Sequence, residues 1–529
     1  MALLDVKNLT TYFHTRDGVT KAVDDVSFSL EEGETLAIVG ESGSGKSVCC
    51  YSMMGLVPCP PGRIERGEAI FDGKDLLKMD VDDLRDVRGN DIAMVFQDPM
   101  TCLNPYLTVG SQLIEPIVYH QSGTKQEARE QAIRLLEEVG IRDPETNIDA
   151  YPHEFSGGMR QRVMIAMALI ANPKLLIADE PTTALDVTIQ KQILALVDEV
   201  KKKRNISVIF ISHDLSVVKD VADSVLVMKT GKVVERGTTE SLFSDPQEDY
   251  TKDLIAAVPR GAKPAPNLSA GQPLLTVESL LTTFPSNAVK DQSEFVAVDQ
   301  VGFSLERGEI LGLVGESGSG KSTLGRSILN LATPKSGSVM FDGAELVGLS
   351  PKQMLPYRRR MQMIFQDPYA SLNPRMTIYD ALAEPMILHN IVDRGEVDRA
   401  VLELMDSVGL ARKFVRKYPH EFSGGQRQRI AIGRAIATKP EFVIADEPVS
   451  ALDVTIQKQI LELLLELVKS HHLSMLFISH DLAVVRYLCD RLIVMNHGQL
   501  VESGDTEGLY SNPQQPYTKT LLSALPSWG

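Results

Sequence analysis

Two glycine-rich segments that end in lysine and serine have the residue types that bind a nucleotide phosphate chain. The segment GESGSGKS occurs at 40–47 and again at 315–322, each time after a short apolar run. In a GxxxxGK[ST] loop the glycines let successive backbone N–H groups point at the β-phosphate, and the next helix adds a favourable dipole. One chance match in a chain of this length has a probability on the order of 2%. Two matches in the same context therefore indicate binding of ATP or GTP.

Each loop also supplies a cation and a hydroxyl. Lys46 and Lys321 are predicted to reach the β- and γ-phosphates, and the hydroxyls of Ser47 and Ser322 can ligate Mg²⁺. The other predicted nucleotide contacts of the loops are Gly40, Ser42, Gly43, Gly45, Gly315, Ser317, Gly318 and Gly320.

An Asp–Glu pair follows an apolar run in each half of the chain. Asp179 and Asp446 end these runs, at the strand edge beside the phosphate loop, where they can hold Mg²⁺ directly or through water. Glu180 and Glu447 come next and are predicted to orient the attacking water or accept its proton. A lone Asp–Glu pair is more often a solvated strand end, but its repetition behind two phosphate loops favours catalysis.

Histidine and glutamine side chains complete the predicted chemistry. His213 and His480 each end an apolar strand within ISHDL. A single histidine there is usually structural, whereas in both copies it can hydrogen-bond the γ-phosphate and the catalytic glutamate. Gln97 and Gln366 lie in predicted loops, where an amide can contact Mg²⁺ or the attacking water without adding charge.

The chain repeats these segments in one order, which predicts two homologous domains. The blocks VFQDP at 95–99, YPHEFSGG at 151–158 and IADEP at 177–181 return as IFQDP at 364–368, YPHEFSGG at 418–425 and IADEP at 444–448. The predicted domains span 1–258 and 274–529. They are joined by a linker at 259–273 that is rich in Pro, Gly and Ala and lacks apolar periodicity.

Buried strands must position these side chains. TLAIVG at 35–40, LLIAD at 175–179 and SVIFIS at 207–212 are short apolar runs, typical of buried strands in a parallel sheet. The segment at 124–140 spaces its apolar residues as an amphipathic helix that ends at a glycine. The sequence therefore predicts an α/β fold in each half.

Composition limits the classes of partner. The chain has 529 residues, 23% charged and 43% hydrophobic, as in a soluble globular protein of two or more domains. A net charge of −16 argues against broad electrostatic binding to nucleic acid, although not against a local basic patch. Because no apolar run reaches about 18 residues, work at a membrane requires partner proteins. The five cysteines have no repeated CxxC spacing and indicate thiols in a reducing compartment.

A second glycine-rich motif makes the resemblance to a family specific. FSGGM at 155–159 and FSGGQ at 422–426, each followed by RQR, resemble the signature motif of ABC ATPases. The resemblance implies two tandem P-loop (RecA-like) ABC nucleotide-binding domains, each with an antiparallel β subdomain and a helical subdomain. It also implies that each signature donates hydrogen bonds to the γ-phosphate held on the opposite domain's phosphate loop.

Tandem fusion then implies an intramolecular pseudo-dimer with two composite ATP sites. The signature residues expected to complete them are Ser423, Gly425 and Gln426 for the first phosphate loop, and Ser156 and Gly158 for the second. Met159 stands where the family has glutamine, so a side-chain amide contact is in doubt there. Since both halves keep the glutamate and the histidine, two competent sites are expected.

Two further residue pairs match family positions. Phe13 and Phe284 match the aromatic residue that stacks on adenine, although a core phenylalanine is a serious rival reading at each. Asp186 and Asp453 match the D-loop residue that passes information across the dimer.

The closing segments resemble those of one group of importers. DPQEDYTKDLIAAVP at 245–259 is echoed by NPQQPYTKTLLSALP at 512–526, and QDP–LNP blocks occur at 97–105 and 366–374. These resemble the ATPase subunits of bacterial peptide, dipeptide and nickel importers, most of all the fused subunits of microcin C-type peptide importers. Many such subunits carry a cysteine-bearing extension that resembles an iron–sulfur site. No cysteine lies in 246–290 or after Cys489, so no cluster is expected.

The resemblance implies a role at the inner membrane. The expected partners are two integral-membrane permease subunits, reached through 98–155 and 367–422, and an extracytoplasmic substrate-binding protein; the expected location is cytoplasmic, peripheral on the cytoplasmic face of the inner membrane. The alternative is a soluble tandem ABC ATPase acting on the ribosome or nucleic acid. A translation factor would be expected to have a longer, charged connecting arm, and a DNA-repair ATPase zinc cysteines or a coiled coil. The substrate and the permeases stay open.

Overall fold

The computed structural model describes residues 2–16, 18–120, 124–183, 185–261, 263, 272–285, 294–450 and 452–525. Over these ranges, no helix combines the length and the hydropathy that a membrane crossing needs. The predicted linker at 259–273 lies largely outside the described residues, so the domain bounds stay predictions.

The first half contains two sheets. Its strands are β1 (Ala2–Thr15), β2 (Gly18–Glu31), β3 (Thr35–Val39), β4 (Gly62–Phe71), β5 (Lys74–Asp75), β6 (Ile92–Val95), β7 (Leu175–Asp179), β8 (Ser207–Ser212), β9 (Ser224–Lys229) and β10 (Lys232–Thr238). The antiparallel sheet has the order β2-β1-β4-β5. The larger sheet has the order β10-β9-β3-β8-β7-β6, with β10 antiparallel to β9 and the other neighbours parallel.

The helices of the first half surround the parallel sheet. They are α1 (Lys46–Met53), α2 (Val81–Val87), α3 (Pro99–Cys102), α4 (Val109–His120), α5 (Lys125–Glu138), α6 (Pro144–Asn147), α7 (Gly157–Leu169), α8 (Val187–Arg204), α9 (Leu215–Val221), α10 (Thr239–Ser244) and α11 (Asp249–Ala257), with a 3₁₀ turn at Pro152–Glu154. The helix predicted at 124–140 is α5, which begins with a capping box between Thr124 and Glu127.

The second half repeats this plan. Its strands are β11 (Leu275–Pro285), β12 (Glu294–Leu305), β13 (Ile310–Val314), β14 (Ser336–Phe341), β15 (Ala344–Glu345), β16 (Met361–Ile364), β17 (Phe442–Asp446), β18 (Ser474–Ser479), β19 (Arg491–Asn496) and β20 (Gln499–Asp505). The sheet orders are β12-β11-β14-β15 and β16-β17-β18-β13-β19-β20.

The helices of the second half follow the same order along the chain. They are α12 (Lys321–Ile328), α13 (Pro351–Arg360), α14 (Pro368–Ser371), α15 (Ile378–Leu388), α16 (Val397–Ser407), α17 (Gly424–Ile436), α18 (Val454–His471), α19 (Leu482–Leu488), α20 (Thr506–Ser511) and α21 (Pro516–Ser523), with 3₁₀ turns at Arg412–Phe414 and Pro419–Glu421.

Strand alternation explains why the parallel sheet is apolar on both faces. Along β3, Leu36 and Ile38 join the core beneath the antiparallel sheet. Ala37 and Val39 join the core beneath the helical region. Successive side chains of a strand point to opposite faces, so a strand buried on both sides reads as a continuous apolar run. The predicted α/β class, with an antiparallel and a helical part in each half, is confirmed.

Candidate functional site

Each phosphate loop joins a buried central strand to a helix. β3 ends at Val39 and α1 begins at Lys46. Gly45 has φ +100°, and a Cβ there would lie 2.1 Å from the carbonyl oxygen of Ala22. Gly320 has the same φ, and its Cβ would lie 2.2 Å from the carbonyl oxygen of Ala297. Only glycine fits at these two positions, because any side chain would collide with backbone.

The loop lysines are buried ammonium groups. Lys46 is 4% exposed, and its Nζ donates to the carbonyl oxygens of Gly40 at 2.8 Å and Glu41 at 3.0 Å. Burial lowers the pKa of Lys46, while the carboxylates of Glu180 and Asp453 oppose that shift. A positive charge held in this way at the glycine-rich loop favours binding of an anion.

The second phosphate loop holds its lysine in the same way. The Nζ of Lys321 donates to the carbonyl oxygens of Gly315 at 2.7 Å and Glu316 at 2.9 Å. Burial lowers the pKa of Lys321 as well, against the charges of Glu447 and Asp186. Asp186 belongs to the first half, so the opposite half contributes to the electrostatics of this lysine.

A serine and an aspartate meet beside each lysine. Ser47 Oγ donates to Asp179 Oδ1 at 2.8 Å, and Ser322 Oγ donates to Asp446 Oδ1 at 2.9 Å. Burial raises the pKa of both aspartates. A buried carboxylate next to a hydroxyl provides oxygen ligands whose negative charge is not fully balanced. Mg²⁺ binds oxygen ligands of this kind.

The neighbour of this aspartate differs between the halves. In the first half, the Tyr51 hydroxyl donates to Asp179 Oδ2 at 2.9 Å. At the equivalent position of α12 the chain has Arg326, whose charge lowers the pKa of Asp446 against the effect of burial. The sequence reasoning missed both residues, although their equivalent places after the two phosphate loops could have identified them.

Glu180 lies at the centre of a polar cluster. Its Oε2 accepts hydrogen bonds from Gln97 Nε2 at 2.8 Å and Thr183 Oγ1 at 3.0 Å, and lies 3.2 Å from His213 Nδ1. Burial raises the pKa of Glu180, but the hydrogen bond and charge of His213, with the Thr183 hydrogen bond and the Lys46 charge, outweigh it, so the pKa lies below its ordinary value. Burial lowers the pKa of His213, but Glu180 and two nearby aspartates together outweigh it, and the pKa is raised.

The second half builds the same cluster around Glu447. Its Oε2 accepts from Gln366 Nε2 at 2.9 Å and lies 3.1 Å from His480 Nδ1. Burial opposes the charged form of both groups, but their mutual attraction, together with other nearby charges, outweighs it, so the pKa of Glu447 is lowered and that of His480 is raised. Each histidine–glutamate pair therefore favours the doubly charged form.

The two glutamates share an unusual backbone conformation. Glu180 has φ +48° and Glu447 φ +46°, in the left-handed region that residues with a side chain rarely adopt. The Glu180 N–H donates to the carbonyl oxygen of Ile211 at 2.9 Å, and the Glu447 N–H to that of Ile478 at 3.0 Å. The adjacent strand therefore holds this conformation, and such local strain is characteristic of functional sites.

The signature motifs form helix starts. Ser156 caps α7 and Ser423 caps α17, each accepting from the backbone N–H three residues later at 3.4 Å. The Gln426 side chain accepts from the Ser423 N–H at 3.1 Å, so its amide oxygen completes a capping box. Met159 has no amide to make this bond, so the two signatures differ here; the loss of an amide contact to the nucleotide at Met159 stays a prediction.

The two halves contact each other through the phosphate loops. The backbone N–H and Oγ of Ser42 donate to Asp453 Oδ1 at 2.9 and 2.8 Å. Reciprocally, the Ser317 N–H donates to Asp186 Oδ1 at 2.7 Å. Asp453 precedes α18 directly, and a Cβ on Gly425 of the signature helix would lie 2.4 Å from Ile456 of α18. One helix therefore contacts the second-half signature and, at its N-terminus, the first-half phosphate loop.

The histidines of the two halves face a shared space. A cavity of about 140 Å³ is lined by Thr183, His213 and Asp214 from the first half and by Ser450, His480 and Asp481 from the second, among others. Burial raises the pKa of Asp214, and the charge of Asp481 adds to that effect. The two histidine–glutamate clusters therefore lie on opposite sides of one interface.

The two candidate adenine-stacking residues differ in exposure. Phe13 is half-buried, and its ring lies 3.1 Å from where a Cβ of Gly62 would stand. Phe284 is 42% exposed at the end of β11. Nothing in the described contacts joins either ring to a phosphate loop, so stacking on adenine stays a prediction.

Comparison with known proteins identifies the family. Residues 23–183 and 298–450 match the family described as ABC transporter, and together these matches cover more than half of the chain. The chain belongs to the ABC transporter family. As an ABC transporter ATPase it binds and hydrolyses ATP, which decides between the two nucleotides that the phosphate loops left open.

Relatives extend the match of this ABC transporter ATPase over its full length. The peptidoglycan transport ATP-binding protein YejF of Agrobacterium fabrum is 49% identical over 99% of this chain and 96% of its own length. The glutathione import ATP-binding protein GsiA of Escherichia coli K12 is 46% identical over 99% of this chain and 89% of its own. Residues 234–278 and 501–529 match the family described as oligopeptide/dipeptide transporter, C-terminal region.

Two solved structures of ABC cassettes each match less than half of this chain. The dimeric ATP-binding cassette MJ0796, in a post-hydrolysis state bound to ADP and Pi, is 28% identical; it covers 45% of this chain and 98% of that chain with a TM-score of 0.41. CbiO1 from Clostridium perfringens is 26% identical, covering 46% of this chain and 92% of that chain with a TM-score of 0.40.

Proposed function

We propose that this chain is the ATPase subunit of a bacterial importer of peptides or peptide-like compounds. Two long relatives are named for peptidoglycan transport and glutathione import, and both of those substrates contain peptides. The C-terminal part of each half carries the oligopeptide/dipeptide transporter match. These relatives favour a transport ATPase over a tandem ABC ATPase acting on the ribosome or nucleic acid. Microcin C stays one candidate substrate among peptide-like compounds.

The proposed ATPase has two composite ATP sites within one polypeptide. The reciprocal bonds from Ser42 to Asp453 and from Ser317 to Asp186 are the observation that carries this proposal. They support a head-to-tail arrangement in which each phosphate loop is completed by the other half. Ser423, Gly425 and Gln426 would complete the first site, and Ser156 and Gly158 the second.

In the proposed reaction the charged groups of each half divide the work. Lys46, with the loop N–H groups, holds the β- and γ-phosphates. Mg²⁺, when bound, neutralises phosphate charge; Ser47 and Asp179 would hold it, with Gln97 nearby. Glu180 orients the attacking water and accepts its proton, while His213 keeps that glutamate ionised and in place. Lys321, Ser322, Asp446, Gln366, Glu447 and His480 have the same roles in the second half.

The proposed partners are two integral-membrane permeases and an extracytoplasmic substrate-binding protein. The chain would then act from the cytoplasm, on the cytoplasmic face of the inner membrane. The segments at 98–155 and 367–422 carry exposed apolar side chains suited to docking, including Tyr106 at 87% exposure and Leu388, within α15, at 63%. ATP-driven closure of the two halves would move these segments together.

Uptake by a strain that lacks the gene tests the proposed function. Labelled di- to hexapeptides and glutathione are supplied, and the strain is complemented with wild type or with the double variant Glu180→Gln and Glu447→Gln. Uptake of at least one peptide class by wild type alone is the expected result. Copurification after gentle detergent extraction is the second arm: permeases support the proposal, whereas ribosomes or DNA in their place would refute it.

A further inference from the structure

The last helix of each half, α11 in the first and α21 in the second, is here named its closing helix, and each is anchored on its own domain. Just before α11, the backbone N–H groups of Gln247 and Glu248 donate to the side chain of Glu235 on β10, at 2.8 and 3.2 Å. In the second half Glu502 does the same for Gln514 and Gln515, at 2.8 and 3.1 Å. Both helices therefore start from a fixed position beside the antiparallel edge strand of the parallel sheet.

A tyrosine on each closing helix contacts the phosphate loop of the same half. The Tyr250 hydroxyl accepts from the Glu41 N–H at 3.3 Å, and the Tyr517 hydroxyl accepts from the Glu316 N–H at 3.2 Å. Burial raises the pKa of each tyrosine to about 12, so both hydroxyls stay protonated at neutral pH. Lys229 Nζ lies 4.2 Å from the ring centroid of Tyr250 and helps to hold that ring.

The other end of each closing helix contacts the opposite half. Lys458 Nζ, on α18, donates to the Ala256 carbonyl oxygen at 3.0 Å, and Lys191 Nζ, on α8, donates to the Ser523 carbonyl oxygen at 2.6 Å. These carbonyls belong to the last turns of α11 and α21, where backbone oxygens have no partner inside the helix. A cation there also interacts favourably with the helix dipole.

These contacts form a closed circuit that includes each phosphate loop. α18 carries Lys458 five residues after Asp453, the residue that binds Ser42 of the first phosphate loop. The adjoining residue of that loop, Glu41, is bound by Tyr250 of α11. Two adjacent residues of the loop are therefore held, one by the closing helix of the same half and the other by the opposite half. The circuit through Tyr517, Ser523, Lys191, Asp186 and Ser317 repeats this arrangement at the second loop.

We propose that α11 and α21 are reciprocal clasps that stabilise the closed, ATP-bound arrangement of the two halves, with Tyr250, Tyr517, Lys191 and Lys458 as positioning residues. This inference rests on the proposed composite sites. Each clasp forms its lysine bond only when the halves meet, so it adds to the stability of the closed state. Without that bond, more ATP is needed to reach the same closed fraction, while the chemistry of the closed site is unchanged.

Steady-state ATPase kinetics of the full chain test the clasp. The double variant Lys191→Met and Lys458→Met keeps the aliphatic stems and removes both donors. We expect the KM for ATP to rise about fivefold with little change in kcat, since two solvent-accessible hydrogen bonds are lost. The arginine pair, K191R with K458R, retains a donor at each site and should restore the KM. Lys202→Met is the matched control, because Lys202 pairs with Asp198 on the exposed side of α8.

The tyrosines give a second, independent variant. Tyr250→Phe with Tyr517→Phe removes only the two hydroxyls and should also raise the KM. Tyr510→Phe is the matched control, because the Tyr510 hydroxyl donates to the Leu482 carbonyl in the same C-terminal region. A KM equal to that of the controls in both clasp variants would overturn the proposal. So would a fall in kcat and thermal midpoint at unchanged KM, which indicates a merely structural role.

The signature serines separate this inference from the composite-site proposal. Ser156→Ala with Ser423→Ala should lower kcat if each signature acts on the opposite phosphate loop. If that variant keeps the wild-type kcat, the composite-site proposal fails and the clasp falls with it. If kcat falls while the clasp variants behave like their controls, the clasp alone is refuted.

Discussion

The bond between Ser42 and Asp453 gives the sharpest test of the contact between the halves. Asp453 accepts two hydrogen bonds from Ser42, one from its backbone N–H and one from its hydroxyl. Its counterpart Asp186 accepts one from Ser317, through the backbone N–H alone among the described contacts. A Ser42→Ala change therefore removes a cross-half bond, whereas Ser317→Ala leaves the matching backbone bond intact.

The size of the effect follows from the exposure of the pair. A hydrogen bond to a buried charged group contributes about 1.5–3 kcal/mol, but Ser42 is exposed, so water competes for both partners. We estimate about 1 kcal/mol for the hydroxyl bond, or about fivefold in an equilibrium constant. The Ser42→Ala and Asp453→Ala cycle should give this coupling energy, and the Ser317→Ala and Asp186→Ala cycle a value near zero.

Each cycle is measured as the KM for ATP of the wild type, the two single variants and the double variant. Asp453→Ala loses two bonds and should raise the KM more than Asp186→Ala, which loses one. Thermal unfolding of every variant checks that the domains stay folded. Equal coupling energies in the two cycles, or no coupling in the first, would refute the asymmetric contact on which this reasoning depends.

Three further predictions concern the reaction centre. Glu180→Gln and Glu447→Gln should each remove half or more of the ATP turnover, and the double variant should lose about 100-fold or more; full turnover in either single variant would contradict two competent sites. His213→Gln should lower the thermal midpoint most between about pH 4.5 and 6.5, because Glu180 has a lowered pKa and His213 a raised one, so both are charged there. The difference in midpoint between wild type and variant should shrink as rising pH neutralises the histidine. A difference that does not depend on pH would exclude the ion pair. Tyr51→Phe should leave Asp179 more basic, so half-maximal activity at pH 8 should need about threefold less Mg²⁺ and acid inactivation should move to higher pH; an unchanged Mg²⁺ titration would argue against that contact.

Local spacing was enough to predict which of the candidate side chains the fold brings together. A glycine-rich loop after an apolar run has few structural solutions, and the carboxyl ends of parallel strands meet at one edge of the sheet. Lys46, Asp179 and His213 could therefore be assigned to one edge without coordinates. The repeat then assigned the equivalent residues of the second half, because homologous segments in the same order build the same sheet.

The missing parts depend on packing that no short motif encodes. The left-handed backbone of Glu180 is imposed by its bond to the neighbouring strand, and glutamate itself has no preference for that conformation. Tyr51 was missed because its hydroxyl becomes relevant only when α1 is packed beside Asp179. Lys191 lies within a block that the chain repeats at 184–193 and 451–460, so the sequence shows that both halves have this lysine. Its acceptor, the last turn of the opposite closing helix, could be found only from the assembled halves.

The pseudo-symmetry of the chain holds for the pairs of residues that meet between the halves, although among the described contacts Ser42 adds a hydroxyl bond that Ser317 lacks, and it fails beside Asp179 and Asp446. The contact between phosphate loop and D-loop recurs in both directions, and so does the contact between lysine and closing helix. In contrast, Tyr51 of the first half is replaced by Arg326 at the equivalent position of the second, and Met159 by Gln426. The residues proposed to bind phosphate and activate water are the same in both copies. A fused chain can therefore keep the same pairs of interface residues and the same proposed catalytic residues in both halves while the surroundings of each site change separately. In the proposed closure both sites share one interface, so we expect a difference beside either aspartate to alter the ATP requirement of the whole ATPase.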